Sequence, residues 1–266
     1  MMTDQLSTEF ETFQGELKSY LLRMTASAQD AEDIVQDTYI KAHARIDSFR
    51  GESSLKTWVF SIASNLAKDL LRSKRRWPEN ATDICKEAAL NDQRFFQEAL
   101  HIRETSPQGK FEIKEHIALC FTCISKSLPL EQHLALLLKE IYGFKVKEIA
   151  QIMDQSEAMV KYYLHVARSR MIDIFDRRCS LINKQGICHQ CTELNGIFNP
   201  KQKAQEELSK IEMARDAENK SKEALFDLRL KVLQEIDPYI SGAAALQLHH
   251  LEHNCQVIEK YLEEKG

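Results

Sequence analysis

Hydrophobic positions along this chain recur at spacings of three and four residues, which is the period of an amphipathic α-helix. Ser27 stands before the first clear series and is followed three residues later by an acid, an arrangement that caps a helix N-terminus. The series itself consists of Ala31, Ile34, Val35, Thr38, Ala42 and Ile46. We therefore predict a helix that begins after Ser27 and ends at Arg50-Gly51.

A second helix follows on the same period. Its apolar face consists of Leu55, Val59, Ile62, Ala63, Leu66 and Leu70. It finishes in the basic run Arg72-Ser-Lys-Arg-Arg-Trp77, and Pro78 closes it because proline cannot continue a helix. These two helices place a first helical domain at residues 1–78.

The pattern weakens over residues 79–110, which we interpret as a linker with some helical content, and becomes helical again over 111–178. One stripe runs from Ile113 to Leu128, and another helix follows Pro129. Near the end, Val146–Met153 and a longer helix are separated by Asp154-Gln155-Ser156. Two helices joined by such a short turn are typical of a helix-turn-helix domain.

Residues 179–266 form a Cys-containing extension with a different pattern. We predict a loop up to about residue 200, a long charged helix over 201–235, a break at Asp237-Pro238 and a last helix from about Ala243 to Glu264. The whole chain has 8 Gly and 5 Pro, too few for the many tight turns of a sandwich or barrel. The fold class is therefore all-α: two small helical domains, a linker and a helical C-terminal extension.

Charge is distributed unevenly along the 266 residues. The formal net charge is -4, yet residues 1–37 carry -6 and residues 54–77 carry +5. No protein-wide positive field attracts nucleic acid, so any such binding is local to the basic second helix. The chain has no apolar run long enough to span a membrane and starts with acidic and polar residues, which favours a cytoplasmic protein without membrane insertion.

The second helix carries a polar stripe beside its apolar face. Trp58, Ser61, Asn65, Asp69 and Arg72 follow one another at spacings of three or four residues. Asn and Arg side chains suit base edges or phosphates, and Trp can stack on an exposed base. The stripe alone is equally compatible with a surface network in which Asn65, Asp69 and Arg72 pair with one another.

Two blocks of sequence resemble a known family. The segment Asp30-Ala-Glu-Asp-Ile-Val-Gln-Asp-Thr-Tyr-Ile-Lys-Ala, with the segment from Phe49 to Arg72, resembles region 2 of bacterial RNA polymerase sigma factors of the extracytoplasmic-function (ECF) group. The segment from Leu128-Pro129 to Arg170, with Glu148-Ile-Ala and Val160-Lys161, resembles region 4. The resemblance implies a non-enzymatic alternative sigma factor that binds core RNA polymerase, recognises the -10 and -35 promoter elements and assists DNA melting.

The resemblance also implies residue roles. The acidic helix falls on the family's polymerase-docking surface, with Asp30, Glu32, Asp33, Gln36 and Asp37. The -10 DNA-binding positions are Ser53, Ser54, Lys56, Trp58, Asn65, Lys68, Asp69, Arg72, Arg75 and Arg76. The loop from Glu52 to Lys56, which overlaps this set, corresponds to the one that in the family helps to hold a base extruded from the non-template strand. No phosphate-cradling Gly motif is present, and strand opening by preferential binding needs none.

The helix after Ser156 corresponds to the family's recognition helix in the -35 major groove. The implied contacts are Ser156, Glu157, Lys161, Tyr162, His165 and Arg168. The chain departs from the usual family pattern at Met159, Tyr163 and Val166, which weakens the basic character of this helix. Tyr162 and Tyr163 each have two interpretations, an exposed contact or an inward-packing ring.

Seven cysteines are present, and three of them have metal-ligand spacing. Cys179, Cys188 and Cys191 supply three thiolates, one short of a tetrahedral zinc shell. The last helix offers fourth ligands in His249, His250, His253 or Cys255. The sigma activity requires no cofactor, so a structural zinc is the one candidate. Buried thiols without metal and a redox pair at Cys188 and Cys191 are the alternatives, and Cys120 falls on an apolar stripe that favours core packing.

Two other functions are compatible with parts of this sequence. A helix-turn-helix regulator that binds DNA independently of polymerase needs only residues 129–178. A zinc- or redox-sensing interaction protein with degenerate DNA-binding parts is motivated by Met159, Tyr163 and Val166. Core RNA polymerase and promoter DNA are the expected partners, and an anti-sigma factor is a candidate third one.

Overall fold

The computed structural model describes residues 2–105, 113–199, 201, 208–236 and 244–265, and these residues are predominantly helical. Within these ranges no β-strand forms, and one isolated bridge joins Cys179 to Cys188. No helix in these ranges is long and apolar enough to cross a membrane. The all-α prediction is confirmed.

The helices are numbered here in chain order. The first half contains α1 (Met2–Thr25), α2 (Ala28–Ala44), a 3-10 turn (Ile46–Ser48), α3 (Leu55–Arg72), α4 (Ala81–Asn91), α5 (Gln93–Thr105) and α6 (Ile113–Ser125). The second half contains α7 (Leu130–Leu136), a π-helical turn (Leu137–Ile141), α8 (Val146–Met153), α9 (Glu157–Arg178) and α10 (Gln190–Phe198). It ends with α11 (Glu212–Arg215), a 3-10 turn (Ala217–Asn219), α12 (Lys222–Glu235) and α13 (Ala244–Glu264).

The chain forms two compact units that are interleaved in sequence. The first unit combines Met1–Arg76 with Leu128–Arg168, and the second combines Trp77–Ser127 with Ser169–Gly266. Each unit therefore contains segments that lie far apart along the chain. The predicted linker, 79–110, contains α4 and α5 of the second unit.

In the first unit, α1, α2 and α3 pack around a shared apolar core. Ser27 accepts a hydrogen bond from the Asp30 amide at 3.1 Å, so α2 begins where the capping pattern predicts. The buried Tyr20 and Ser64 hydroxyls lie 2.8 Å apart and link α1 to α3. This buried pair satisfies two polar groups that would otherwise cost free energy in the core.

The helix-turn-helix, α8 and α9, belongs to the same unit. Asp154 ends α8 in the left-handed conformation with φ +53°, and the Ser156 hydroxyl accepts from the Met159 amide at 3.2 Å. The helix α8 packs against α3. Phe144, just before α8, contributes a ring 4.9 Å from that of Phe60.

In the second unit, α13 packs against α4, α5 and α6, while α10 and α12 also pack on α6. The rings of Phe121, Phe175 and Phe226 are close neighbours in its core. Trp77 begins this unit by donating its amide to the Lys126 carbonyl, at 3.3 Å. The Lys126 ammonium lies 5.2 Å from the centre of the Trp77 ring, a favourable cation–π distance.

Several predicted boundaries are wrong. The helix α2 ends at Ala44 and α3 at Arg72, before the residues expected to stop them. The long helix predicted over 201–235 is divided, because Ser221 caps a new helix by accepting from the Ala224 amide. The segment before α10 is tied by the Cys179 bridge, and α10 itself occupies part of the predicted loop. The predicted break at Asp237-Pro238 lies outside the described residues.

Candidate nucleic-acid interface

One exposed face of α2 is acidic. Glu32, Asp33, Gln36 and Asp37 are exposed on it, whereas Ala31, Ile34, Val35 and Thr38 point into the core. The side chains at its two edges are paired, Asp30 with Lys74 at 3.2 Å and Glu32 with Lys18 at 2.6 Å. The predicted polymerase-binding residues therefore share one accessible surface suited to a basic partner.

The polar stripe of α3 also lies at the surface. Asn65, Asp69 and Arg72 are exposed, as are Arg75 and Arg76 after the helix end. Arg72 and Asp69 form an ion pair at 3.2 Å, so part of the predicted surface network is present. Exposed pairs of this kind contribute little to stability, and the guanidinium can exchange its carboxylate for a phosphate at small cost.

A cavity of about 290 Å³ lies beside the start of α3. The rings of Phe49 and Trp58, 5.4 Å apart, form its aromatic wall. Polar groups from Arg50, Glu52 and Ser53 complete this side. The Ser54 hydroxyl accepts from the Thr57 amide at 3.1 Å and caps α3, which fixes the loop that edges the cavity. Aromatic rings with nearby polar groups can hold a flat, polar-edged molecule such as a nucleobase.

Gln151 from α8 also lines this cavity, where its side-chain amide donates to the Glu52 carbonyl at 3.4 Å. Sequence reasoning missed both Gln151 and Phe49 as lining residues. The contact joins positions 99 residues apart, so no local pattern indicates it. The period of α8 does place Gln151 off the buried Ile149–Ile152–Met153 face, which was the available signal.

Two basic side chains of α3 are partly buried within the first unit. The Lys56 ammonium pairs with Glu16 at 2.6 Å and lies 5.2 Å from the centre of the Phe144 ring. Burial and then the charge of Arg72 lower the pKa of the Lys68 amine. The charges of Glu131 and Asp154 raise it and partly oppose this shift. Lys56 and Lys68 are therefore partly covered, unlike Asn65 and Arg72.

The recognition helix α9 presents a mixed surface. Ser156, Glu157, Lys161 and His165 are exposed. Tyr162 is 55% exposed, whereas Tyr163 is half-buried, which separates the roles that the sequence left open. Val160, Ala167 and Met171 are fully buried as their spacing predicts.

Arg168 differs from the other predicted contacts on α9. Its guanidinium pairs with Glu140 at 3.2 Å and is half-buried. The pair joins α9 to the π-helical turn within the first unit. The structure therefore gives Arg168 a packing role alongside any contact with DNA.

The comparisons with known proteins agree with this layout. A family model described as Sigma-70 region 2 matches residues 10–77, and one described as Sigma-70, region 4 matches residues 118–171. An ECF RNA polymerase sigma-E factor of Haemophilus influenzae is 36% identical over 149 residues, covering 56% of this chain and 76% of that protein. The chain belongs to the ECF RNA polymerase sigma factors.

Other ECF sigma factors show similar coverage. The sigma-E factor of Escherichia coli K12 is 32% identical over 156 residues, covering 59% of this chain and 78% of that protein. A solved structure of the sigma factor RpoE with the anti-sigma factor NepR, from Bartonella quintana, is 21% identical with a TM-score of 0.42 and covers 64% of this chain and 96% of that one.

An ECF sigma factor acts in transcription initiation with core RNA polymerase and promoter DNA, so the predicted function and these two partners are confirmed. The acidic face of α2 and the α3 stripe lie inside the match to region 2, and α8 and α9 up to Met171 lie inside the match to region 4. Residues 172–266 lie beyond both family models.

The cysteines of this sigma factor all lie in the second unit. Cys179 and Cys188 are joined by the backbone bridge, and Cys191 lies 3.1 Å from the Nδ1 atom of His116. Among the described residues, no three or more His, Cys, Asp or Glu side chains are already gathered to hold a metal ion. The zinc prediction at Cys179, Cys188 and Cys191 stays a prediction.

The expected fourth ligands on α13 have other neighbours. His249 has its Nε2 atom 3.2 Å from the Phe95 carbonyl, and His253 packs on the Phe95 ring. The His250 Nδ1 atom bonds the Leu246 carbonyl at 2.8 Å. Burial raises the pKa of the Cys85 thiol, with smaller contributions from its neighbours Cys123 and Cys255. None of these particular contacts involves Cys179, Cys188 or Cys191.

Proposed function

We propose that this ECF sigma factor opens promoter DNA by binding the separated non-template strand along α3, in the cytoplasm and without catalysing a reaction. The cavity beside Phe49 and Trp58 is the observation that carries this proposal. It lies next to the Glu52–Lys56 loop, which in the family holds an extruded base. A base that leaves the duplex gains stacking and polar contacts there, which offset the loss of its pair.

The polar stripe on α3 extends the surface that would bind this strand. Asn65 offers a side-chain amide to a base edge, and Arg72 with Arg75 and Arg76 offers positive charge to the strand's phosphates. Because these groups favour the opened strand over duplex, melting follows as a shift of population. The acidic α2 face supports docking on a basic surface of core polymerase, leaving α3 for DNA.

The surface of the recognition helix supports weaker recognition of the -35 element than of the -10 element. Lys161, Tyr162 and His165 are exposed and able to reach the major groove or its phosphates. Arg168 is already paired with Glu140, which removes one positive charge from the free surface. We expect the -10 contacts to contribute more of the promoter selectivity.

The test uses the variants Asn65→Ala and Arg72→Ala with core polymerase and candidate promoters. Each removes one contact worth about 1–3 kcal/mol, so open-complex formation should fall roughly 10- to 100-fold while core binding stays unchanged. Permanganate footprinting measures opening, and fluorescence anisotropy measures core affinity.

Gln5→Ala is the matched control, because it removes an exposed amide from α1, away from the stripe. Equal loss of opening and of core binding would contradict the proposal. Specific DNA binding in the absence of core polymerase would instead support the helix-turn-helix regulator that the sequence alone also allowed.

A further inference from the structure

Four cysteines of the second unit come from two segments that the fold brings together. Cys179 and Cys188 are bridged, with the Cys188 amide donating to the Arg178 carbonyl at 2.8 Å and the Ser180 amide to the Cys188 carbonyl at 3.1 Å. Cys191 follows in the first turn of α10. The fourth, Cys120, lies on α6, against which α10 packs.

A close backbone approach shapes the loop between the bridged cysteines. A Cβ atom on Gly186 would lie 2.7 Å from the backbone carbon of Cys179, so only glycine fits at this position. Paired residues in a bridge project to the same side of the backbone, which directs the Cys179 and Cys188 thiols the same way. The Gly186 approach therefore helps to fix the backbone that carries these two cysteines.

The facing surface of α6 carries two metal-binding residue types one helical turn apart, His116 and Cys120. The His116 Nδ1 atom lies 3.1 Å from the Cys191 sulfur. Cys120 lies on α6 one helical turn after His116, and α10, which carries Cys191, packs against α6.

A buried cation stands beside this group. Arg229 of α12 is 1% exposed, and its Nη2 atom donates to the Cys179 sulfur at 3.3 Å. Its guanidinium carbon lies 3.8 Å from the centre of the Phe175 ring, and its buried Nε atom has no hydrogen-bond partner. Burying an unpaired charge costs several kcal/mol. The Cys179 sulfur accepts a hydrogen bond from this guanidinium, and as a thiolate it would supply negative charge there.

We propose that Cys120, Cys179, Cys188 and Cys191 bind one zinc ion, with Arg229 balancing the negative charge of the site. Four thiolates around Zn²⁺ leave two negative charges, and the guanidinium offsets one. Each thiol releases its proton to solvent as the metal binds, so no oxidant or reductant takes part. Thiolates are soft ligands, which favours zinc over magnesium or calcium.

Coordination involves rotation of the cysteine side chains. The four sulfurs do not yet surround one point, since no ready-made group of metal ligands occurs among the described residues. Each cysteine moves its sulfur between staggered positions by a single torsion, while the bridge and α6 hold the backbone. His116 is placed to donate a hydrogen bond to the Cys191 thiolate, as groups around zinc ligands do.

This set differs from the sequence-based prediction in its fourth ligand. Cys120 on α6 replaces the residues of α13, and the bound ion would join α6 to the loop before α10. The other three cysteines form a separate group, in which the Cys85 thiol donates to the Asn254 carbonyl at 3.8 Å and Asn254 donates to Cys123 at 3.6 Å.

The experiment measures zinc in the full chain purified under nitrogen without chelators. We expect about one zinc per wild-type chain, and a loss of most of it in Cys120→Ser and Cys179→Ser. Cys85→Ser is the control, since it alters a buried thiol outside the site and should retain the metal. Arg229→Met should release zinc to a competing chelator at least tenfold more readily.

A second measurement covers variants that fail to fold. The wild-type chain loaded with Co²⁺ should show the intense visible bands of a tetrahedral tetrathiolate and its charge-transfer absorption. Spectra of fewer thiolates, or zinc retained in Cys120→Ser but lost in His116→Gln, would overturn this ligand set. A wild-type chain free of zinc that carries a Cys179–Cys188 disulfide would overturn the metal site altogether.

Discussion

His250 shows at the residue scale how burial sets protonation. Burial lowers its pKa to about 4, partly opposed by the hydrogen bond to Leu246, with further lowering by His249 and His253. The folded imidazole is neutral at pH 5, whereas an unfolded one with a pKa near 6.5 is mostly protonated. The unfolded state therefore binds the additional proton, and stability falls as the pH drops from about 6.5 towards 4.

We predict that this residue alone lowers the free energy of unfolding of the second unit by roughly 2 kcal/mol when the pH falls from 7 to 5. Urea unfolding of the full chain at the two pH values measures the loss. In His250→Gln the difference between the two pH values should shrink by about that amount, whatever the variant's stability at pH 7.

His43→Gln is the control, because this imidazole is exposed on α2 of the other unit. It should leave the pH dependence unchanged. An undiminished pH dependence in His250→Gln would show that other groups, such as His116, whose pKa burial lowers to about 3, account for it.

Residue roles could be predicted where spacing alone decides which face a side chain occupies. Asn65 and Arg72 are exposed, and Val160 is buried, as their period requires. The roles of Gln151 and Arg229 could not be predicted, since their partners Glu52 and Cys179 lie 99 and 50 residues away along the chain. A helical period shows which face of the helix a residue occupies, but it does not show which distant residue the side chain contacts.

At the scale of elements, the turn between α8 and α9 depends on one strained residue. Asp154 has φ +53° and ψ +53°, a left-handed conformation that costs a side-chain-bearing residue about 1–2 kcal/mol. We predict that Asp154→Gly stabilises the first unit by about 1 kcal/mol relative to Asp154→Ala. Thermal unfolding of the two variants measures the difference.

The pair is matched because both substitutions remove the same carboxylate, including its effect on Lys68. The two variants differ in the cost of the left-handed backbone conformation, which is lower for glycine than for alanine. Equal melting temperatures would mean that the turn relaxes out of the left-handed conformation when alanine is introduced.

The elements that the sequence predicted well have both a regular apolar face and a capping residue. Ser27, Ser54 and Ser156 all cap helices in the structure. The extension was predicted poorly because its elements depend on distant contacts. The helix α10 packs on α6, and α12 has only a modest apolar stripe. Tertiary packing decides such segments more than local period does.

At the scale of the whole molecule, the first unit lines the base-sized cavity with residues from both family regions. From the region 4 segment, Gln151 contacts the Glu52 carbonyl just before α3, and the Phe144 ring contacts Phe60 of α3. We expect a strand that enters the cavity to displace Gln151. Because a closed state reduces apparent affinity by the fraction of open molecules, weakening this packing should strengthen DNA binding.

We predict that Phe144→Leu increases the affinity of the holoenzyme for a single-stranded -10 oligonucleotide several-fold. It should also make Trp58, which lines the cavity, more accessible to acrylamide. A Trp77→Phe background leaves Trp58 as the sole tryptophan for the quenching measurement, since the chain has two. Val160→Ala, a core change in α9, should produce neither effect. Weaker oligonucleotide binding in Phe144→Leu would show that the packing assists the strand rather than excluding it.

The order of the sequence motifs did not indicate that the two units are interleaved along the chain. The Cys85 thiol reaches the carbonyl of Asn254, 169 residues later, and such pairings leave no trace in the local pattern. The segment between regions 2 and 4 therefore contributes α4 and α5 to the same unit as α13. A sigma factor truncated after region 4 would lose the helices that cover α4, α5 and α6.

The placement of all seven cysteines in the second unit, with none in the first, gives the protein a native chemical reporter. A thiol-reactive dye labels only that unit, and the four buried thiols, Cys85, Cys123, Cys191 and Cys255, react as unfolding makes them accessible. The rate of labelling in increasing denaturant thus follows the unfolding of one unit in the unmodified chain, while a cysteine introduced on the first unit would be its single label there.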